Sequence, residues 1–434
     1  MGRSAGPRWG WTDTLVVVSI VAVGVIVAGL LHTPGESATD DASAHTYATP
    51  EVEYPVEIPG CETVLAPSEG EMFMTSFSGE QSYDNPRYPW FSGPKATAMS
   101  EALIAALPGS VELEYAGPAE SLLFGPIPVY NSPSELPEGI TEEDFGGSTS
   151  ARGMLVRESA RGSLGVSVSR WDKPVPECAA GQLDRRATYP DGTIIDTLDT
   201  WAEYDGNRNL IRAATAYLPD GTQVYASVSD EDPRVPVGGD RYSGTVPLTI
   251  EELSDIARAP GLRVTAQVPV GTPPPPTPCG SGTGSSGEPL TRETVERLGQ
   301  ALDDAWRAHA PDGVALERSL GSLQPSEYGA SSVCAEVRVT GAAGTGRLNV
   351  DIGGGHELPV APDEYDPANA WNTTRREVLP DGSVVERDMA SIVTVTRPSG
   401  TQVRISLSDV LPGSLVTVDR LQAIATAPGL ELTR

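Results

Sequence analysis

The stretch Arg185-Arg186-Ala187-Thr188-Tyr189-Pro190-Asp191-Gly192-Thr193 decides the fold, because a second copy of it occupies residues 375–383. Proline presets φ and glycine supplies a positive φ, so Pro-Asp-Gly predicts a tight turn between two strands. Two further blocks recur in the same order: residues 221–224 as 400–403, and residues 249–262 as 417–430. Three blocks in one order predict a tandem repeat.

Strict alternation of apolar and polar residues predicts strands around each turn. The alternating apolar sets are Val403, Ile405 and Leu407; Val224, Ala226 and Val228; and Leu348, Val350 and Ile352. A period of two with one polar face is typical of an antiparallel sheet that is covered on one side.

Two helices in each copy can cover that side. The first is predicted over residues 291–309 in the second copy and 96–107 in the first copy. The second helix follows Thr249 or Thr417 as the N-cap, and Glu252 completes a capping box in the first copy. Each repeat is therefore expected to be α+β, with an antiparallel meander sheet and helices packed on one face.

The ordered pair of a Pro-Asp-Gly-Thr hairpin and a helix opened by Leu248-Thr249, with Ile256-Ala257 in its core, is distinctive. It resembles a segment of uncharacterised exported or membrane-anchored proteins of actinobacteria. The second copy departs from the pattern, since Leu415-Val416-Thr417 stands where the first has Pro247-Leu248-Thr249. The resemblance implies an exported location and this fold, and it implies no known activity.

An uninterrupted apolar run, residues 15–31, precedes the repeats. A helix of that length rises about 26 Å, close to the roughly 30 Å hydrocarbon core of a bilayer. Arg3 and Arg8 precede the run and Glu36 follows it, so the positive-inside rule places the N-terminus in the cytoplasm. We therefore expect one transmembrane helix and a single-pass plasma-membrane protein with an extracytoplasmic C-terminus. A signal peptide cleaved near residues 42–44 is the alternative.

Composition changes along the chain predict its domain organisation. The expected parts are a cytoplasmic N-terminus (1–14), a transmembrane helix (15–31), a juxtamembrane linker (32–59), a first extracytoplasmic repeat (60–268), a Pro/Gly/Ser linker (269–289) and a second extracytoplasmic repeat (290–434).

Charge and cysteine content restrict the possible partners. The formal net charge of −29 repels nucleic acid and anionic polymers, so no nucleic-acid partner is expected. The four cysteines, Cys61, Cys178, Cys279 and Cys334, predict two disulfides in an oxidising compartment. Three connectivities are possible, and 61–178 with 279–334 is favoured because each pair then stays within one repeat. The spacings fit no zinc pattern, and neither a metal nor a cofactor is expected.

The search for catalytic residues finds one weak pattern. Ser92 and Lys95 have the S-x-x-K spacing of penicillin-recognising serine enzymes, but the S-D-N and K-T-G partners are missing from the sequence. No two of the four histidines have ligand spacing. The acidic runs 230–232 and 363–366 match no calcium-binding loop and are expected to be solvated surface. Catalysis is therefore not expected.

The two copies differ in length at two places. The prolines that bracket the first hairpin, Pro190 and Pro219, are 29 residues apart, against 18 between Pro380 and Pro398, which makes an insertion of 11 residues. A second insertion lies between Gly221 and Thr249, and strand direction puts both at one end of the sheet. They are expected to form a binding edge from these residues: Trp201, Tyr204, Asp205, Asn207, Arg208, Arg234, Asp240, Arg241 and Tyr242.

These observations predict a membrane-anchored extracytoplasmic binding or interaction protein of the bacterial cell envelope. Its expected partners are the membrane, through the N-terminal helix, and an envelope protein or glycan. A sensor ectodomain that acts through a membrane partner is one alternative. A serine-dependent envelope enzyme using Ser92 and Lys95 is the other.

Overall fold

The computed structural model describes residues 54–67, 82–128, 147–204, 206–235, 239–280, 286–327, 329–359, 375–388, 391–409 and 415–432. They form two antiparallel sheets. The strands of the first sheet are β1 (Glu112–Leu113), β2 (Ser148–Arg157), β3 (Ala160–Arg170), β4 (Arg185–Thr188), β5 (Ile194–Tyr204), β6 (Asn207–Tyr217) and β7 (Thr222–Ser229). Their order across the sheet is β1-β2-β3-β7-β6-β5-β4, so β7 returns from the meander to pair with β3.

The second sheet repeats this arrangement. Its strands are β8 (Ala315–Leu316), β9 (Gln324–Ser326), β10 (Gly329–Gly341), β11 (Gly344–Gly353), β12 (Arg375–Val378), β13 (Val384–Asp388), β14 (Ile392–Thr396) and β15 (Gln402–Ser408). The order is β8-β10-β11-β15-β14-β13-β12, with the short β9 paired to β10 outside this path. Each strand of the first sheet therefore has a counterpart at the same place in the second.

Four helices accompany the sheets in the described part of the chain: α1 (Gly93–Ala105), α2 (Ile250–Ala257), α3 (Arg292–His309) and α4 (Val418–Ala425). The capping box predicted for α2 is present, because Thr249 Oγ1 accepts from Glu252 N and the Glu252 carboxylate accepts from Thr249 N. Thr417 makes no side-chain cap to α4. Helix α1 begins before the predicted start at residue 96, because Ser92 Oγ caps it.

The predicted inward faces are buried. Val224, Ala226 and Val228 lie in one core with Leu253 and Ile256 of α2. The second core contains Val403, Ile405 and Leu407 with Leu421 and Ile424 of α4. Burial of a large aliphatic side chain contributes about 1.5–3 kcal/mol, so these faces supply much of the driving force for packing the helices onto the sheets.

The predicted α+β fold with a transmembrane helix is wrong. The described residues are mostly β, with fifteen strands against four α-helices. None of these helices combines the length and the apolar character that a membrane crossing requires. Helices α2 and α4 have 8 residues each, and α3 carries acidic and basic side chains along its 18 residues. The predicted single-pass membrane location is wrong for the same reason. The segment 15–31, on which that prediction was based, lies outside the described residues.

Both disulfides have the pairing favoured by the sequence, Cys61–Cys178 and Cys279–Cys334. The first one holds residues 58–61, here called the edge strap, against the outer edge of β4. Pro59 O accepts from Arg186 N at 2.9 Å. Gly60 has φ +86°, and a Cβ there would lie 1.9 Å from Arg186 O, so only glycine permits this approach. The strap therefore occupies backbone groups that an edge strand otherwise leaves free.

Candidate binding edge

The first insertion lengthens a hairpin. Strands β5 and β6 have 11 residues each, whereas β13 and β14 have 5 each. The ladder continues through the pair Trp201 and Leu210 to the pair Tyr204 and Asn207. At about 3.3 Å per residue, the six additional residues per strand extend the hairpin by about 20 Å. The insertion is thus a regular projection of the first sheet.

The second insertion follows β7 and is fixed to this hairpin by Asp230. This residue is 1% exposed. Its Oδ1 accepts from Leu210 N at 2.8 Å, and its Oδ2 accepts from Gly244 N at 3.0 Å. Burial raises the pKa of Asp230, and the backbone hydrogen bonds oppose that shift. One side chain therefore links the hairpin to both ends of a short loop.

Glu231 makes a second link between the insertions. Its Oε1 lies 2.6 Å from Arg241 Nε, and its Oε2 accepts from Asn209 Nδ2 at 3.2 Å. An isolated antiparallel bridge also pairs Glu231 with Tyr242. The loop therefore closes on itself and on β6 through the same carboxylate.

Arg234 belongs to a separate ionic cluster. It lies 2.9 Å from Asp232 and 2.7 Å from Glu114, while Arg161 lies 2.7 Å from Glu114 and 3.1 Å from Asp232. Burial alone would raise the pKa of Glu114, but hydrogen bonds from Arg161 and Arg234 outweigh it and lower the pKa. The pKa of Asp232 is lowered in the same way, because its contacts with Arg234 and Arg161 outweigh the effect of burial. Two guanidinium groups and two carboxylates join the loop to β3 and to the residue after β1.

Trp201 and Arg208 form the aromatic part of the edge. The Arg208 guanidinium carbon lies 4.1 Å from the Trp201 ring centroid, a cation–π contact between neighbouring strands. Successive residues of a strand point to opposite faces, so Arg208 and Asn209 diverge. The Trp201–Arg208 pair therefore lies on the face that carries α2, and the Glu231–Arg241 pair lies on the other face.

The structure places the nine sequence-predicted residues in three groups. Trp201 and Arg208 stack, Arg241 and Tyr242 meet Glu231, and Arg234 joins the ionic cluster instead. Asn207 and Asp240 are exposed. Asp205 lies outside the described residues, as does the side chain of Tyr204. The two insertions therefore touch, and the contacts of the described side chains fall on different parts of the edge.

The acidic run 230–232 contributes more than the sequence suggested. The expectation of solvated surface is wrong there, since Asp230 and Asp232 are only 1% and 7% exposed. Glu114 and Arg161 were also missed, because their partners lie far away in sequence. One signal for ion pairing was available in the sequence. The acidic run lies in the same insertion as Arg234 and Arg241. The other acidic run, 363–366, lies outside the described residues.

Lys95 has a structural position. It is 3% exposed, and its Nζ donates to Arg263 O at 2.8 Å and to Ala266 O. Ser92 Oγ accepts from the Lys95 backbone N–H at 3.3 Å. Burial lowers the pKa of Lys95 to about 8. In the second repeat Arg297 donates to Glu431 O, the counterpart of Arg263 O, so a basic side chain bridges the same two elements in both repeats.

The histidines and carboxylates supply no metal centre in the described ranges, where no three His, Cys, Asp or Glu residues are grouped to hold an ion. His309 lies in the last turn of α3, as expected. His356 is partly buried, which lowers its pKa. His32 and His45 lie outside the described residues.

Comparison with protein-family models, with curated proteins and with solved structures finds no match for this chain.

Proposed function

We propose that this chain is an extracytoplasmic binding protein that contacts a protein partner through the β5–β6 hairpin and the segments 230–235 and 239–244 braced against it. The two disulfides are consistent with an oxidising compartment outside the cytoplasm. The observation that carries the proposal is the buried Asp230 carboxylate, which joins the two insertions.

Asp230 argues for recognition because it orders a part of the molecule that the fold does not need. The second sheet has the same strand order with a hairpin of half this length, so the insertions are dispensable for the architecture. A tolerated surface loop has no requirement for a buried carboxylate, whose desolvation opposes folding. Segments that are already held in place, as residues 230 and 244 are by this carboxylate, lose less conformational entropy on binding, and this favours affinity.

The side chains of the edge favour a protein partner over a glycan. Trp, Tyr and Arg are the residues enriched among those that dominate protein–protein binding energy. The Trp201 ring is partly exposed and carries the Arg208 guanidinium, so it offers a flat amphipathic contact. The net charge of −29 disfavours an anionic polymer as the partner.

The test is affinity capture with the purified, immobilised full chain against a cell-envelope extract, with separate detection of protein and carbohydrate. We expect the double variant Trp201→Ala/Arg208→Ala to retain less than about a tenth of the captured protein, because truncating a central anchor costs about 2 kcal/mol or more. Arg338→Ala, an exposed arginine 3.6 Å from Glu317 in the second sheet, is the matched control and should capture normally.

Equal capture by wild type and the double variant would remove the hairpin from the proposed function. Capture of carbohydrate without protein, lost in the same variant, would replace the protein partner by a glycan.

A further inference from the structure

The outer edge of the second sheet differs from that of the first. Strand β4 lies beneath the edge strap, where Pro59 O accepts from Arg186 N. All four residues of its counterpart β12 are exposed, and Val378 is 67% exposed. Exposed edge strands are templates for pairing with another chain, and folded proteins usually cover them.

The edge strap shows which backbone groups of β12 point outward. Arg186 pairs with Asp196 across the first sheet, and Arg376 pairs with Glu386 at the same ladder position of the second. Arg186 N donates outward to the strap. Because inward and outward groups alternate along an antiparallel edge strand, the N–H groups of Arg376 and Val378 face the open edge.

The charges on β12 are self-complementary. The side chain of Arg375 has no hydrogen-bond or ion-pair partner among the described residues, and the Glu377 carboxylate lies 3.8 Å from the Arg387 guanidinium. Both lie on the side of the strand that bears α4, because Glu377 pairs with the buried Val385. An antiparallel second copy centred on Arg376 would place each Arg375 opposite Glu377 of the other copy. Opposite charges directly across an antiparallel pair stabilise it.

Arg376 itself does not prevent this pairing. Two Arg376 side chains would meet at the centre on the opposite face, but each guanidinium is 2.7 Å from the carboxylate of Glu386 in its own chain. The first sheet has no equivalent arrangement, since Ala187 stands where β12 has Glu377.

We propose that two copies of this chain associate through β12, in antiparallel register about Arg376, to form one continuous sheet across a two-fold axis. The occupant of the open edge is a second copy, and the interaction is independent of the binding edge on the first sheet.

The test uses charge swaps on the full-length chain, with association followed by sedimentation equilibrium over a micromolar to millimolar range. We expect Arg375→Glu and Glu377→Arg each to weaken association by about tenfold or more, because each variant turns both symmetric pairs into like charges. The double variant Arg375→Glu/Glu377→Arg restores opposite charges and should associate like the wild type. Arg185→Glu, on the strap-covered β4, is the control and should leave association unchanged.

A wild-type chain that stays monomeric over the whole range would overturn the proposal. Association that both single variants leave intact would also overturn it, since the contact would then lie elsewhere. If the double variant associates as weakly as the single variants, the proposed pairing of Arg375 with Glu377 of the other copy is wrong. This holds whether or not the single variants have lost stability.

Discussion

Replacing Gly60 by alanine should detach the edge strap from β4. Gly60 has φ +86°, a conformation that costs a side chain about 1 kcal/mol relative to glycine. The new Cβ would also lie 1.9 Å from Arg186 O, a distance that no packing adjustment at that carbonyl accommodates. The strap must therefore move away from the strand.

The expected loss is the sum of the backbone and contact contributions. The hydrogen bond from Arg186 N to Pro59 O contributes about 1 kcal/mol. Partial exposure of Ile58, which is 4% exposed in the native chain, contributes on the order of 1 kcal/mol more. We expect Gly60→Ala to destabilise this region by about 2–4 kcal/mol. Gly313→Ala is the matched control, since Gly313 has φ +73° and no atom within 4 Å of the new Cβ, so only the backbone cost of about 1 kcal/mol remains.

Hydrogen exchange by mass spectrometry measures this locally. A loss of about 2 kcal/mol corresponds to about thirtyfold faster exchange, so the Arg186 amide in peptides covering β4 should exchange faster in Gly60→Ala. Peptides from β12 should be unaffected. If Gly60→Ala and Gly313→Ala change β4 exchange equally, the steric argument is refuted and the strap does not protect this edge.

Two further predictions concern the buried Lys95 and the partly buried Glu114. Lys95→Met should lower the free energy of unfolding, measured in urea, by about 2–4 kcal/mol, because two carbonyls lose their donor. Arg297→Met, at an exposed arginine, should lower it by less than about 1 kcal/mol. Equal losses in the two variants would contradict the argument that burial makes the Lys95 contacts more important. With the Lys95 pKa at about 8 in the folded chain against 10.5, the unfolded chain holds a proton that the folded chain has lost. Stability should therefore rise between these pH values in the wild type and not in Lys95→Met. The lowered pKa of Glu114 acts in the same direction but at acid pH, because its contribution to stability is present above the ordinary value of 4.5 and is lost as pH falls through the folded pKa. Glu114→Gln should flatten that acid limb in pH-dependent urea titrations, and an unchanged limb would show that the ionic cluster does not contribute.

The sequence predicted local structure well where one residue sets one backbone geometry. The alternation over residues 402–408 corresponds to β15, Gln402–Ser408. The Thr249 capping box and the first turns after Pro190 and Pro380 depend only on neighbours within a few positions, so they are readable without tertiary information. The shared strand order follows from the same repeated blocks.

Fold class and location were predicted less well, for a different reason. The α+β prediction weighted two helices per repeat, but α2 and α4 are short and most of each repeat pairs as strands. The membrane prediction was based on the hydropathy of residues 15–31 and on the charges that flank them, and no described helix has the properties of a membrane span. The hydropathy of one segment gives no information on the fold of the rest of the chain.

The binding edge shows the limit set by long-range contacts. Sequence numbering and strand direction placed the two insertions at one end of the sheet, and Asp230 does connect them. The partners of Arg234 and Asp232 include Glu114 and Arg161, which approach only because β1, β2 and β3 lie side by side. A carboxylate whose arginine partners lie far away in the chain therefore cannot be distinguished from a solvated carboxylate by its sequence neighbours.

The return of β7 to β3 has a consequence for how such a chain can change over evolutionary time. Residues added at the far turn of β5 and β6 lengthen a terminal ladder and leave the central β3–β7 register untouched. Residues can therefore be gained or lost at this turn without any change to the residues of the core. After duplication, one copy can lengthen at this turn while the other copy keeps a short hairpin.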